Sequence, residues 1–272
     1  MGRSRRSAVS LRVLGCGDAF GSGGRSHTCF YLDAPDSKLL IDFGASAIVA
    51  MNRFGVDPRA VDAVVLSHLH GDHFGGLPFL LMDAAFISRR TRPLVIAGPH
   101  GTADRVRQAA DALFPGFWAH PKTFALEFLE LVDGQPLNVA GATVTPFGVI
   151  HDSGATAFGL RITCAGRTVA YSGDTAWTDR LLDVARDADL FLCEATSYDT
   201  PIPNHLTYKT VAANRHRFTA ARVVLTHAGA DVLARRGRLA MDLARDGQLF
   251  GLGKRLSTTR DAKNTKKKTR RS

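Results

Sequence analysis

Cysteine is scarce in this chain of 272 residues, and the four present, Cys16, Cys29, Cys164 and Cys193, are scattered with no C-x-x-C pair among them. That spacing argues against a disulfide framework and against a cysteine-based zinc knuckle. The four read as reduced residues packed inside. Long apolar runs are missing too. No segment approaches the roughly 18 unbroken apolar residues of a membrane span, and the basic opening MGRSRRSAVSLRVLG lacks an apolar stretch of signal-peptide length. The sequence therefore predicts a cytoplasmic protein with no membrane partner. Its 45% hydrophobic content is enough for a sizeable core.

Charge is unevenly spread. From Lys254 to Ser272 nine Lys or Arg stand against Asp261 alone, and Arg3, Arg5 and Arg6 add to the start, so most of the net charge of +10 lies outside the body of the chain. Residues 1–8 read as a basic extension and 254–272 as a basic tail with the composition of a disordered segment. Such a tail is either a solvated, solubilising end or a contact for RNA or another polyanion.

Between the two, strands are expected at 9–14, 27–33, 38–42 and 61–66, a helix at 45–54, and another helix after the histidines of SHLHGDHFGG. A strand in PLVIAGP and a helix in GTADRVRQAADALF follow. TFALEFLEL, ATVTPFGVI, TAFGLRIT and RTVAYSG read as further strands, with Ala165-Gly166 as a tight hairpin turn. The order then becomes helix 176–186, strand DLFLCEA, helix 207–217, strand ARVVLTH and a last helix. Two blocks of strands, each finished by helices, suggest an αββα sandwich of two packed sheets with helices on the outer faces. Periodicity alone also admits a doubly wound sheet.

What the chain does have is H-x-H-x-D-H. In extended chain, residues two apart point the same way, so His68 and His70 can share an ion. Asp72 and His73, where the chain turns toward a helix, can face a second one. Neutral imidazole with carboxylate suits zinc, iron or manganese. His151, Asp174 and His227 each follow an apolar strand and precede a turn or helix, the placement His68 has. Ligands offered from the same edge of several strands can converge. His27, His100, His120 and His216 show no such pattern and read as ordinary polar or half-buried residues. GCGDAFG is not a dinucleotide fingerprint, because Phe20 stands at the third glycine position.

The motifs VLGCGDAFGSGG, LLIDFGAS, SHLHGDH, IAGPHG, VIHDSG, AYSGDT, LCEATSYD and VVLTHAG together resemble the metallo-β-lactamase fold hydrolases, over residues 9–253 as one domain. Within them the chain is most similar to the ribonuclease Z and phosphodiesterase branch, whose further histidine is matched by His205 in NHLTY. The resemblance implies His68, His70 and His151 on one metal, Asp72, His73 and His227 on another, Asp174 bridging both and Asp42 supporting the site. A homodimer is implied by the resemblance alone.

Two divalent ions, zinc, manganese or iron, roughly 3.5–4 Å apart can share one water and lower its pKa from about 15.7 toward 7. That bridging hydroxide would be the nucleophile toward a phosphodiester, either a small molecule or RNA. Asp72 would orient it and His205 would serve the leaving alkoxide. Asp174 argues against a β-lactam substrate, and His70, where flavo-diiron enzymes carry a glutamate, argues against oxygen reduction. A glyoxalase II-like thioester hydrolase and an iron persulfide dioxygenase share much of the ligand set, and a non-catalytic metal and nucleic-acid binding module is a third alternative. The sequence departs from the pattern of this branch in three respects. Only 22 residues separate His151 from Asp174, too few for an RNA-gripping arm. The triplet around the extra histidine is altered to His205-Leu206-Thr207, and the cysteine-rich zinc site of the phosphonate-pathway cyclic phosphodiesterases is missing.

Overall fold

The computed structural model describes residues 9–253; the two basic segments and the expectations attached to them lie outside the described residues. The first sheet is built from β1 (Val9–Gly15), β2 (Cys29–Ala34), β3 (Ser37–Ile41), β4 (Ala63–Val65), β5 (Leu94–Gly98) and β6 (Leu126–Glu130). The second takes β7 (Leu137–Val139), β8 (Ala142–Gly148), β9 (Phe158–Cys164), β10 (Arg167–Tyr171), β11 (Leu190–Glu194), β12 (Val223–Thr226) and β13 (Asp242–Leu243), after which β14 (Leu249–Leu252) returns to the first. Their orders are β14-β1-β2-β3-β4-β5-β6 and β13-β12-β11-β10-β9-β8-β7. Both sheets are mixed. Each joins antiparallel hairpins to a parallel run, β3 to β6 in one and β10 to β13 in the other.

Alternation along the strands builds the space between the sheets. Leu11 and Val13, Phe30 and Leu32, Leu160 and Ile162, and Val169 and Tyr171 all belong to one buried cluster. Phe30 and Tyr171 meet edge to face with centroids 5.4 Å apart. The intervening residues point outward and are covered by helices. Leu14, Leu40, Val64 and Ile96 pack with α1 (Ala47–Phe54), α3 (Leu77–Met82) and α4 (Thr102–Leu113). Ala170, Phe191, Cys193 and Leu225 pack with α5 (Arg180–Ala185) and α6 (Tyr208–Asn214). Covered on both faces, the parallel strands are continuous apolar runs, as in β4 and β11. Each fully buried Leu, Ile or Phe contributes about 1.5–3 kcal/mol. The αββα sandwich expected from the strand blocks is the fold, and the doubly wound alternative is not.

Ala165 and Gly166 both adopt positive φ, 47° and 72°, and close the β9–β10 hairpin through the Cys164–Arg167 pair. Elsewhere the structure corrects the reading. The single helix expected after the histidines is broken into α2 (Gly71–Phe74), α3 and a π-turn at Asp83–Ile87. Gly75 and Gly76 separate α2 from α3, and a Cβ on Gly76 would stand 2.4 Å from the Gly44 carbonyl oxygen. The last helix is only α7 (Ala230–Ala234), and the segment after it supplies the edge strands β13 and β14. β14 pairs with β1, Val9 opposite Leu252, and so joins segments more than 200 residues apart. No local pattern signals such a pairing.

Arg90 is 3% exposed, and its guanidinium donates to the carbonyls of Pro58, Arg59, Val61, Arg92 and Pro93. It ties the turns that lead into β4 and β5 at the end of the sheet where those strands begin. Among the described residues no helix is long and apolar enough to cross a membrane.

Candidate metal centre

The expected ligands all stand just past strand ends. His68 and His70 follow β4, Asp72 and His73 lie in α2, His151 follows β8, Asp174 follows β10 and His227 follows β12. The parallel strands deliver these ends to one rim. Asp42 and His227 adopt left-handed backbone there, with φ of 56° and 52°, an uncommon conformation for residues with a side chain. Glycine permits the close approaches. A Cβ on Gly44 would lie 2.1 Å from the Asp72 carbonyl oxygen, and one on Gly173 would lie 2.5 Å from that of Phe158.

Two groups form. The ring nitrogens of His68, His70 and His151 lie within 4.8 Å of one another, as do ligand atoms of Asp72, His73, Asp174 and His227. Asp174 Oδ2 stands between the groups, 3.3 Å from His73 Nε2, 3.3 Å from His227 Nε2 and 3.9 Å from His68 Nε2. Asp72 Oδ2 is 3.2 Å from the same nitrogens of His73 and His227. His70 Nδ1 is 3.0 Å from His151 Nε2.

Outer contacts fix which ring nitrogen faces inward. Asp42, fully buried, accepts from His73 Nδ1 at 2.7 Å and from the Ser67 amide and hydroxyl at 2.7 and 2.8 Å. Because the Ser67 hydroxyl donates to Asp42, its oxygen is left to accept from His68 Nδ1 at 3.1 Å. His151 Nδ1 donates to the Asn204 carbonyl at 2.9 Å, and His227 Nδ1 donates to the Thr196 hydroxyl at 3.1 Å. Four imidazoles are thus held through Nδ1–H with Nε2 turned to the centre, the usual support of metal-ligating histidines.

The donor set fits divalent ions. His68 Nε2 and Asp174 Oδ1 are buried without a hydrogen-bond partner, an arrangement that buried polar atoms ordinarily avoid, and His73 Nε2 has only the two carboxylate oxygens at 3.2 and 3.3 Å beside it. Burial, with His73 nearby, pushes the His68 imidazole well below its usual pKa and keeps it neutral. Burial opposes charge on His73 and His227 as well, but Asp174 and Asp42 outweigh it at His73, and Asp174 with the Asp72 hydrogen bond lifts His227 to about 9. Asp174 itself is held well below the carboxylate range, since His227 and His73 overcome the effect of its burial. Carboxylates that draw protons onto two imidazoles would draw a divalent cation in competition with them.

Glu194 closes β11 and is fully buried. It accepts from the Thr175 amide and the Thr196 hydroxyl, and His205 Nδ1 lies 3.2 Å from its Oε2. Sequence reasoning gave Glu194 no role, although it too is a charged residue ending an apolar strand. Asp174, Glu194, His205 and His227 also bring ligand atoms within 4.8 Å of one another, so His205 stands against the centre rather than apart from it. The remaining histidines stay out. His100 is exposed and pairs with Glu130 at 3.0 Å, and His120 and His216 are exposed. His27 is half-buried beside the Asp72 backbone, with its Nδ1 buried and without a partner.

A family model, the beta-lactamase superfamily domain, matches residues 38–228. The chain belongs to the beta-lactamase superfamily. It is a hydrolase of the metallo-β-lactamase fold, with His/Asp clusters of metal-binding type at its strand ends. Among its superfamily relatives, an uncharacterized protein of Mycobacterium leprae is 34% identical over 230 residues, covering 80% of this chain and 77% of the relative. Ribonuclease Z of Methanosarcina mazei is 25% identical over 276 residues, covering 80% of this chain and 87% of the relative. The crystal structure of the short form of human tRNase Z shares the fold with a TM-score of 0.73 at 23% identity, covering 90% of this chain and 99% of the other.

Proposed function

We propose that residues 9–253 form a dinuclear metal-dependent phosphodiesterase of ribonuclease Z-like type, acting on a small diester or on RNA. His68, His70 and His151 would hold one divalent ion, Asp72, His73 and His227 the other, and Asp174 would serve both. Nitrogen and carboxylate donors of this kind suit zinc, manganese or iron. Bound there, such a pair would supply a water activated at neutral pH and offset charge on the non-bridging phosphate oxygens.

The observation that carries the reading is the Glu194–His205 pair beside Asp174. A departing alkoxide needs a proton, and the Glu194 carboxylate holds His205 by Nδ1, leaving Nε2–H for the oxygen. The pair sits within a partly exposed rim, His205 being 19% exposed, so a substrate can reach it. Asp42, Ser67, Thr196 and the Asn204 carbonyl keep the other rings oriented while the proton moves. The ribonuclease Z relative supports the choice of a phosphodiester.

The test is a panel of bis-p-nitrophenyl phosphate, a glutathione thioester, glutathione persulfide with oxygen, and a transfer-RNA precursor, each with zinc, manganese or iron. Metal-dependent turnover of a diester is expected. Turnover of the thioester or the persulfide without any diester would overturn the reading.

A further inference from the structure

The outer edge of the second sheet opens into a cavity of about 550 Å³ whose walls include Arg25, Arg236, Leu239, Met241, Asp242 and Arg245. Arginines outnumber acids here: Asp246 stands near Arg25, but its carboxylate is taken up by the Cys16 and Ser26 amides and the Cys16 thiol. Asp242 is bonded to Arg222 at 2.7 Å, whereas among the described residues Arg25, Arg236 and Arg245 enter no ion pair. The guanidiniums of Arg236 and Arg245 make no hydrogen bond among the described residues, and both residues are exposed. Arg25 is the fixed member. It donates to the Ala244 carbonyl at 2.8 Å and to the Cys16 sulfur at 3.3 Å.

Register sets the distance to the chemistry. β13 lies parallel to β12, with Val224 opposite Asp242 and Leu225 opposite Leu243, and the Ala244 amide donates to the Leu225 carbonyl. Ala244 and Arg245 therefore follow directly on the last residues of β13, as Thr226 and His227 follow Leu225 on the neighbouring strand. The loop that carries Arg25 touches the same ligand, for Cys16, which Arg25 contacts, accepts from the His227 amide at 3.1 Å. A cavity of this volume exceeds what a lone phosphate fills and lies in the range of small-molecule sites.

We infer that the Arg25–Arg236–Arg245 cavity holds the backbone phosphates of a single-stranded nucleic acid next to the scissile bond, so that the substrate is an oligonucleotide or longer. The inference rests on the phosphodiesterase reading. Guanidiniums suit this task because their planar forks pair with phosphate oxygens through two hydrogen bonds.

The experiment measures binding of a fluorescent ten-nucleotide RNA to the full chain in chelator, across a salt series, for the natural protein, Arg236→Gln/Arg245→Gln and Arg236→Lys/Arg245→Lys. Loss of two phosphate contacts should weaken binding about tenfold at low salt and flatten the log–log salt dependence by about 1.4, at about 0.7 per phosphate for single strands. The lysine pair should keep most of that slope. RNA affinity and slope unaltered in the glutamine pair would overturn the inference. So would competition by millimolar inorganic phosphate that is arginine-dependent while RNA binding is not. If arginine-dependent RNA binding is found but no diester is cleaved by the natural protein, the catalytic reading falls and the nucleic-acid site stands.

Discussion

His205 Nδ1 lies 3.2 Å from the Glu194 carboxylate, and its ring stacks on that of His227 at an angle of 11° with centroids 5.7 Å apart. A carboxylate with no solvent exposure thus backs an imidazole at the edge of the candidate metal centre. His205→Ala should lower kcat toward bis-p-nitrophenyl phosphate by about 10²–10⁴-fold, the usual worth of a positioned acid. Its metal content should not change. Glu194→Gln keeps an acceptor for the Thr175 amide and should give a smaller loss in kcat. Elemental analysis beside the kinetics checks both; loss of metal from the His205 variant would make it a ligand.

Asp174 faces both histidine groups, so Asp174→Ala should remove at least one ion per chain, read by elemental analysis after gel filtration. Full occupancy would show that this carboxylate serves neither ion.

Asp42 touches no expected metal position but fixes His73 and Ser67. Asp42→Asn exchanges a carboxylate oxygen for an amide at one of these contacts and should weaken metal affinity about 10–100-fold. Titration with a chromogenic chelator as competitor measures it.

Removal of metal should also show in stability. Donors from both halves of the chain converge at the rim, and an ion bound only by the folded state adds about 4 kcal/mol at a thousand times its dissociation constant. Dialysis against chelator should lower the melting temperature, and zinc, manganese or iron should restore it.

Arg90 tests the fold without touching the site. Arg90→Leu leaves several buried carbonyls without a donor, which should cost about 2–4 kcal/mol. For a domain of this size that corresponds to a fall of roughly 5–10 °C in melting temperature. Metal content of the folded fraction should be unchanged.

The candidate site was legible in sequence wherever an imidazole or carboxylate followed an apolar strand. His68, His151, Asp174 and His227 share that placement, and H-x-H-x-D-H marked the densest part of the rim. Glu194 satisfies the same rule after DLFLC, but an acid beside alanine and threonine carries no metal spacing. The sandwich was legible from its strand blocks. β13 and β14 were not, since strands of two and four residues show too little alternation, and β14 gains its partner from the other end of the sequence. Arg90 reads as an ordinary surface cation until its five carbonyl partners are seen.

The pairing of Val9 with Leu252 has a practical consequence. The described chain is nearly a ring, closed by one ladder at the end of β1 away from the Cys16–His227 contact. A short glycine linker from residue 253 to residue 9, with new ends opened in the exposed connection after Gly134, would give a circular permutant that keeps both sheets and every strand end at the rim.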